Sequence, residues 1–378
     1  MDRRNKQRAT VLAMGVAVMV AGALVSAGPW QDRDDSQGDE EGHRTFSFAL
    51  WGDTPYSDAE KTTAIPALIE DINNSGVRFS VFDGDIKNGS TRCDNQVYAD
   101  AVARFETFTD PMVYVAGDNE WTDCHRKNNG SFNALERLDY MRSTMFTSAE
   151  SFGAKKLTLE HQSVGPVSGT SYPENTRWTY GRVVFVGLNV PGSNNNTVHP
   201  GQCLSSKTDR TQADCDADNA EYAARDAANI QFLNEAFDGA IANHARGLVV
   251  VMQADPSFDL PETETDNERT CVRAAQGECV DPPNNANINL ANYDGYDAFL
   301  DALRTRTIEF GAVGGEVLLV HGDTHFYKVD MPFNSPTSLL PNFTRLCTFG
   351  SPGVNWVKVT VNPNGRTLFT FEPMIVRQ

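Results

Sequence analysis

The chain has 378 residues, 40% of them hydrophobic and 22% charged, and its formal net charge is −18 at pH 7. The hydrophobic content is enough for a substantial core, in one large domain or two small ones. So acidic a chain repels nucleic acid and anionic membranes at long range, which disfavours both as partners, although a local cation site could still hold a phosphate.

The N-terminal segment predicts export. A basic patch, Arg3 to Arg8, precedes an uncharged stretch from Ala9 to Gly28, and Val25-Ser26-Ala27 supplies small residues for signal-peptidase cleavage. The stretch is also about the minimum for a membrane span, so an uncleaved anchor remains the alternative. Cleavage after residue 27 would remove four basic side chains and one acidic one, changing the net charge from −18 to −21.

We therefore expect residues 1–27 to be a signal peptide or an N-terminal anchor. The protein would then be secreted, periplasmic or otherwise extracellular, with membrane contact only if the segment stays attached. Residues 28–44 predict a disordered acidic linker, because residues 31–44 contain no aliphatic side chain and cannot offset their own ordering entropy. Neither a repeat nor a linker follows, so we predict one elaborated domain over residues 45–378.

Strands and helices alternate along most of this domain. Apolar periodicity predicts strands at 46–50, 77–81, 112–116, 183–188, 248–252 and 317–320, and helices at 65–72, 95–108, 230–241 and 296–303. Short strands without internal polar residues indicate a sheet covered on both faces. Four further strands after residue 325 predict a second, more antiparallel sheet packed against the first.

Long polar stretches interrupt this alternation at 121–180, 191–218 and 255–292, and they predict loops that wall or cap a site. Seven cysteines in an exported chain predict disulfides. Their spacing favours three pairs: Cys203 with Cys215, Cys271 with Cys279, and Cys93 with Cys124. Cys347 is left over within a predicted strand, and we expect it to be a buried free thiol.

Four hydrophobic runs each end in the dipeptide Gly-Asp. They are Gly52-Asp53, Gly84-Asp85, Gly117-Asp118 and Gly322-Asp323. If these runs are neighbouring strands of one sheet, four carboxylates converge at one edge, where unpaired negative charge is costly. Bound metal cations are the simplest remedy. The glycine beside each Asp is expected to let the backbone turn sharply and present the carboxylate.

In order, spacing and strand context, these blocks resemble those of the calcineurin-like metallophosphoesterases over roughly residues 45 to 330. The family's blocks are Asp-x-His, Gly-Asp, Gly-Asn-His-Asp/Glu, an isolated His after a strand, and Gly-His-x-His. Here they stand as Asp53-Thr54-Pro55, Gly84-Asp85, Gly117-Asp118-Asn119-Glu120, Gln253 after Met252, and Gly322-Asp323-Thr324-His325. The resemblance implies an α/β fold, a four-layer αββα sandwich of two mixed sheets flanked by helices, with long disulfide-braced loop insertions.

The resemblance also implies two divalent metal ions. One would be held by Asp53, Asp85 and His325, with a ligand lost because Pro55 has no donor. The other would be held by Asp85, Asp118, Gln253 and Asp323. Oxygen donors replace nitrogen donors at several positions, which favours Mg2+, Mn2+ or Ca2+ and leaves iron or zinc as alternatives. The competing interpretation is a decayed site that no longer hydrolyses anything.

Candidate catalytic residues surround these blocks. Asn119 takes the place of the family's catalytic His, and it can donate a hydrogen bond but cannot act as an acid. Arg126 could grip a phosphate bidentately and His125 could protonate a leaving group, although both could equally form a salt-bridged loop. His321 is either a partner of the site, a substitute acid or an ordinary core residue.

Other residues near the blocks have weaker signals. Lys87 and Asn88 could line a phosphate pocket. Tyr56 invites comparison with the tyrosinate ligand of purple acid phosphatases, but its position does not match theirs, so helix entry or packing is the preferred interpretation. The asparagines at 194–196 matter as glycosylation sites only if the host glycosylates, and they otherwise predict a surface turn.

The sequence therefore predicts an exported hydrolase that cleaves a phosphomonoester or phosphodiester with metal-activated water, and its partner would be a small phosphoester substrate. The alternative is a catalytically silent extracellular binding or structural protein on the same scaffold. A nuclease is a third and weaker hypothesis, because the acidic balance opposes long polyanions.

Overall fold

The computed structural model describes residues 44–167, 169–256, 258–261, 269–273, 279–280, 294–335 and 338–377. The predicted signal or anchor segment and residues 28–43 of the predicted linker lie outside these ranges, so both stay predictions. Within the ranges described, no helix combines the length and the apolar character needed to cross a membrane.

The described strands and helices follow the predicted alternation. The strands are β1 (Phe46–Trp51), β2 (Ser80–Phe82), β3 (Met112–Tyr114), β4 (Glu160–Gln162), β5 (Tyr172–Tyr180), β6 (Val183–Gly187), β7 (Gly247–Val251), β8 (Asp259–Pro261), β9 (Arg269–Arg273), β10 (Cys279–Val280), β11 (Glu316–His321), β12 (Lys328–Asp330), β13 (Asn334–Ser335), β14 (Ser338–Leu339), β15 (Phe343–Cys347), β16 (Trp356–Val361) and β17 (Phe369–Met374). The helices are α1 (Ile65–Asn74), α2 (Asn95–Phe105), α3 (Ala134–Met145), α4 (Gln212–Ala242) and α5 (Asp297–Ala312).

Two mixed sheets form the centre of the domain, as predicted. The first has five strands in the order β17-β16-β1-β2-β3, and the second has seven in the order β12-β15-β11-β7-β6-β5-β4. In the first sheet β1, β2 and β3 are parallel and β16 runs antiparallel to β1. In the second sheet β6, β7, β11 and β15 are parallel. The carboxyl ends of β1, β2 and β3 thus meet at one edge of the first sheet.

The prediction that the C-terminal strands form a sheet of their own is wrong. Strand β16 pairs with β1 in the first sheet, whereas β15 pairs with β11 in the second. Val357, Val359 and Val361 of β16 share one face and pack between the two sheets. Strand β16 thus contributes to the apolar layer between the two sheets, where both sheets cover its valines.

Three apolar layers separate four layers of secondary structure. Along β1, Phe48 and Leu50 face the other sheet, while Ala49 and Trp51 face the helices, as strand alternation requires. Helices α1, α2 and α3 cover the outer face of the five-stranded sheet. Helices α4 and α5 cover the outer face of the seven-stranded sheet. This is the αββα arrangement that the motif order implied.

Two of the three predicted disulfides are present: Cys93 with Cys124, and Cys203 with Cys215. Cys347 is a buried free thiol, as predicted. The side chains of Cys271 and Cys279 lie outside what the structure describes, so that pair stays a prediction. The stretch 121–180 is not a plain loop as expected, because it contains α3, β4 and β5, and Leu138 and Met141 of α3 pack into the core beside the five-stranded sheet.

Candidate metal centre

The four Gly-Asp carboxylates meet at one edge, but they do not come from one sheet. Asp53, Asp85 and Asp118 follow β1, β2 and β3 of the first sheet, whereas Asp323 follows β11 of the second. The expectation of four neighbouring strands is therefore wrong, since both hydrogen-bonding edges of β11 are paired within the second sheet, one with β7 and the other with β15. Stacking of the two sheets still brings the groups together: the Asp323 backbone N–H lies 3.1 Å from each carboxylate oxygen of Asp53.

The turns that present these carboxylates fall on the Asp residues themselves. Asp53, Asp85 and Asp323 have φ of 48°, 67° and 71°, a left-handed conformation that Asp tolerates better than most residues. Gly84 also has positive φ, 115°, as expected for a glycine turn, whereas the other three glycines serve close approach. A methyl group added to Gly52, Gly117 or Gly322 would overlap a carboxylate oxygen of Asp83, Asp85 or Asp53, respectively. These three glycines thus let a neighbouring carboxylate pack against the backbone.

Asp85 lies at the centre of the cluster and is 2% exposed. Its Oδ2 accepts hydrogen bonds from the Tyr56 hydroxyl at 2.8 Å, the Asn119 amide at 2.6 Å and the Gln253 amide at 3.3 Å. Its Oδ1 accepts from the Asn119 backbone at 3.1 Å. Protein donors therefore satisfy the hydrogen-bonding capacity of this buried carboxylate. Asn119, which stands where the resembled family has a His, donates two of these bonds and so fixes the orientation of Asp85.

A turn after β6 closes the other side of the cluster. Ser193 to Asn196 all have positive φ, between 52° and 65°. The Ser193 Oγ lies 2.8 Å from Asp118 Oδ2 and 2.7 Å from Asp123 Oδ1. A hydroxyl carries one proton, so it cannot donate fully to both carboxylates. Burial, and then the charge of Asp118, raise the pKa of Asp123 to about 7, which lets an acid form of Asp123 supply the second hydrogen.

The prediction that the asparagines at 194–196 form a surface turn is wrong, because the segment is buried by partners distant in sequence. Arg225 of α4 is fully buried and donates to the Asn195 Oδ1 at 2.6 Å and to its carbonyl at 2.9 Å. The Tyr296 hydroxyl donates to the Pro191 carbonyl at 3.1 Å. Left-handed backbone costs about 1–2 kcal/mol per residue in a helix of L-residues, and these bonds offset that cost.

The electrostatics of the site reflect an excess of buried acid. Burial, followed by the charges of Asp118 and other acids, raises the pKa of Asp85 and of Asp323 well above the usual value. Burial raises the pKa of Glu120 to about 7, and its Oε2 has no hydrogen-bond partner. Burial opposes a charge on His325, but the hydrogen bond and charge of Asp53 outweigh it and raise the pKa to about 9.

The donor atoms of the site are of the chemical type that hard divalent cations prefer. Asp118 Oδ2 and Asp323 Oδ1 lie 2.8 and 3.2 Å from the position of a methyl group added to Gly192, so two carboxylates from different sheets border one small space. Gln253 borders the same turn, since its Oε1 accepts from the Gly192 N–H at 2.6 Å. Carboxylate and amide oxygens are the ligands that Mg2+, Mn2+ and Ca2+ prefer.

Hydrogen bonds to other residues hold these oxygen donors, and the donors are not arranged around one shared point. In the part of the chain that the structure describes, no three His, Cys, Asp or Glu side chains stand in an arrangement that would hold a metal ion. The Tyr56 hydroxyl lies between Asp85, at 2.8 Å, and Asp53, at 3.5 Å. The Tyr56 hydroxyl therefore belongs to the site, although sequence reasoning preferred helix entry or packing for this residue.

The two predicted histidine acids each contact a backbone carbonyl. His125 is half-buried, its Nδ1 donates to the Thr122 carbonyl at 2.6 Å, and it borders a cavity of about 110 Å3 together with Arg210. Burial, and then Arg210, lower the pKa of His125 to about 4. His321 is fully buried in β11, with Nδ1 3.0 Å from the Gly322 carbonyl. Arg126 reaches the rim of the cluster through Asp123, with its Nη1 2.5 Å from the Asp123 Oδ2.

No protein-family model matches the chain, and no curated protein matches it significantly. Among solved structures it is similar to PhoD, with 12% identity over 87% of this chain and 68% of PhoD, at a TM-score of 0.48. It is also similar to a dimetal phosphatase from Danio rerio, with 13% identity over 88% of this chain and 99% of that one, at a TM-score of 0.42. A third structure is titled GAP50, the anchor in the inner membrane complex of Plasmodium, with 12% identity, coverage of 88% and 90%, and a TM-score of 0.38.

Identities and TM-scores this low assign no function by themselves, so the residues of the site have to carry the assignment.

Proposed function

We propose that this protein is a metal-dependent hydrolase of phosphoric esters, and that it acts outside the cytoplasm. The convergence of Asp53, Asp85, Asp118 and Asp323 from both sheets at one edge supports this most strongly. Such a cluster is unfavourable without cations, and its order along the chain follows the phosphoesterase blocks. Divalent ions bound there would polarise the ester and activate water.

Some residues of the site would hold the ions, and others would orient the residues that hold them. Asp53, Asp85 and His325 would hold one ion, and Asp85, Asp118, Gln253 and Asp323 the other. Asn119 and Tyr56 would orient Asp85 through the hydrogen bonds that they already donate to its Oδ2. Ser193 would orient Asp118 in the same way. The rigid strand ends keep these groups fixed while a substrate binds.

Elemental analysis and an ester screen test the proposal. We expect about two divalent ions per purified chain after supplementation with Mg2+, Mn2+ or Ca2+, together with hydrolysis of an aryl phosphate. Asp85→Asn, which removes a charge at constant size, should abolish both. Asp226→Asn replaces a buried acid of α4 outside the cluster and should leave both unchanged. Protein that is loaded with ions but inert towards a broad ester panel would contradict the proposal.

A catalytically silent extracellular binding protein is the second candidate. The observation in its favour is that Asp85 already receives hydrogen bonds from Tyr56, Asn119 and Gln253, so its burial is compensated without an ion. On this alternative Asp85→Asn would stay folded, ion content would be low before and after the change, and no ester would be hydrolysed.

A further inference from the structure

Glu60 joins two loops that follow strands of different sheets. It begins a π-helical turn (Glu60–Ala64) ahead of α1, and its side chain is buried. Its Oε2 accepts hydrogen bonds from the Thr54 hydroxyl at 3.1 Å and from the Tyr56 backbone N–H at 2.6 Å. Its Oε1 accepts one from the Ser351 hydroxyl at 2.6 Å. Since Thr54 and Tyr56 follow β1 and Ser351 follows β15, one carboxylate links the ends of the two sheets.

The loop at Gly350 and Ser351 packs against two residues of the candidate metal centre. The Ser351 backbone N–H donates to the Asp53 carbonyl at 2.9 Å. A methyl group added to Gly350 would lie 2.6 Å from His325 Cγ and 2.7 Å from Asp53 Cβ, which is closer than packed carbon atoms approach. The position of this loop therefore limits where Asp53 and His325 can lie.

The Ser351 carbonyl determines which ring nitrogen of His325 faces the acidic cluster. His325 Nδ1 lies 2.7 Å from this carbonyl oxygen. A carbonyl can only accept, so Nδ1 carries a hydrogen there. The other ring nitrogen, Nε2, lies 3.4 Å from Asp53 Oδ1. Nε2 is therefore the nitrogen that could hold a cation, and a hydrogen bond from the opposite nitrogen to a carbonyl is the usual way in which metal-binding histidines are oriented.

We propose that Glu60 is a positioning residue, which holds Ser351 in place and thereby directs the Nε2 of His325 towards Asp53. The effect on an ion rests on the proposed function, whereas the orientation of His325 rests on hydrogen bonds within the protein. Glu60 acts through Ser351, because the hydroxyl of Ser351 faces Glu60 and its carbonyl faces His325. Ser351→Ala can therefore break the first of these bonds without removing the acceptor of the second.

Nuclear magnetic resonance of the metal-free full chain with isotope-labelled histidine tests the orientation of His325. The signal of the hydrogen on His325 Nδ1 is assigned by its loss in His325→Gln. We expect Glu60→Ala to speed exchange of this hydrogen with water about tenfold or more, as the loss of a hydrogen bond would. Ser351→Ala should act in the same direction. Asp71→Ala is the matched control: Asp71 of α1 accepts a 2.7 Å bond from the Trp356 indole, and its loss should leave the exchange rate at His325 unchanged.

The affinity for Mn2+, measured by isothermal titration calorimetry, tests the consequence for an ion. We expect Glu60→Ala and Ser351→Ala each to weaken it about 10- to 100-fold, as the loss of groups that orient metal ligands does elsewhere. The double variant should bind Mn2+ within about threefold of Glu60→Ala, because a shared route leaves little for the second change to remove. Glu60→Gln, which keeps the size of the side chain but has one acceptor oxygen, replaces Glu60→Ala if that variant does not fold. Circular dichroism checks each variant.

The outcomes separate this proposal from the proposed function. Unchanged Mn2+ affinity in folded Glu60→Ala would overturn the role of Glu60 towards the ion and leave a hydrolase in place. Losses that multiply in the double variant would overturn the route through Ser351. Native protein that binds no Mn2+ would reject the proposed function, and exchange at His325 Nδ1 would then decide the positioning role by itself: faster exchange in Glu60→Ala supports it, and an unchanged rate rejects it.

Discussion

The Tyr56 hydroxyl donates a 2.8 Å hydrogen bond to Asp85 Oδ2 at the centre of the acidic cluster. Removing it in Tyr56→Phe leaves a buried acceptor with one donor fewer. We expect the free energy of unfolding of the metal-free protein to fall by about 1–3 kcal/mol, measured by urea denaturation in EDTA. Tyr327→Phe is the control, since that ring stacks on Phe349 and its hydroxyl has no hydrogen bond within the described residues. Equal losses in both variants would contradict a specific role for Tyr56.

Two acids of helix α4 should respond to pH with opposite signs. Burial raises the pKa of Asp226 to about 6, above the ordinary value of 3.8, so this group favours the folded state at low pH and loses that contribution as pH rises through about 6. Asp226→Asn should therefore stabilise the protein at about pH 8, by about 1–3 kcal/mol, and change little at about pH 4.

Asp214 provides the opposite case on the same helix. Hydrogen bonds from Thr211 in a capping box lower the pKa of Asp214, so its contribution is present above the ordinary value and is lost as pH falls. Asp214→Asn should destabilise the protein at about pH 8. Thermal unfolding of both variants across this range is the measurement, and shifts of the same sign would contradict the expectation.

Close packing at the Gly-Asp motifs can be tested at Gly52. A methyl group there overlaps Asp83 Oδ1, and Asp83 is fully buried at the end of β2. We expect Gly52→Ala to cost about 1–3 kcal/mol, as overpacking does elsewhere, and to lower affinity for divalent ions by displacing the edge. At Gly353 the nearest atom would be 3.5 Å away, so Gly353→Ala should be tolerated. Denaturation curves measure the free energy of unfolding of the two variants, and equal values would contradict the expectation.

The two disulfides should differ in their effect on binding. Each closes a loop, of 31 and 12 residues respectively, and removing either by paired Cys→Ser changes should cost about 2–4 kcal/mol of stability. Only loss of Cys93–Cys124 should also weaken binding of divalent ions, because that bridge joins the loop that follows Asp85 to the loop that follows Asp118. A similar loss of ion affinity without Cys203–Cys215 would show that the effect is general destabilisation.

Local patterns in the sequence were enough to predict much of this fold. Alternation in β1, helical spacing in α1 and the position of Cys347 each depend on neighbours along the chain, and all three are confirmed. The sheet that β16 or β11 joins depends on pairing partners far away in sequence, which apolar periodicity does not encode. That is why the sheet membership of both was wrongly predicted while their existence was not.

The candidate site shows the same difference between features set by local sequence and features set by distant partners. The Gly-Asp blocks mark the strand ends correctly, but the partners of each carboxylate come from distant segments: Ser193 lies 75 residues from Asp118, and Gln253 lies 168 residues from Asp85. The asparagines after Ser193 read locally as a surface turn. Arg225, 30 residues further on, and Tyr296, 101 residues from Asn195, bury them instead.

The left-handed turn at 193–196 limits how this protein can change over evolutionary time. Asparagine, aspartate and glycine enter that backbone conformation at little cost, whereas β-branched side chains do so rarely. A valine at 194 or 195 would unwind the bend and withdraw the serine hydroxyl from both acids that it bridges. Homologues that keep this acidic cluster should therefore show a narrow choice of amino acids at these few positions, even where the surrounding surface has diverged freely.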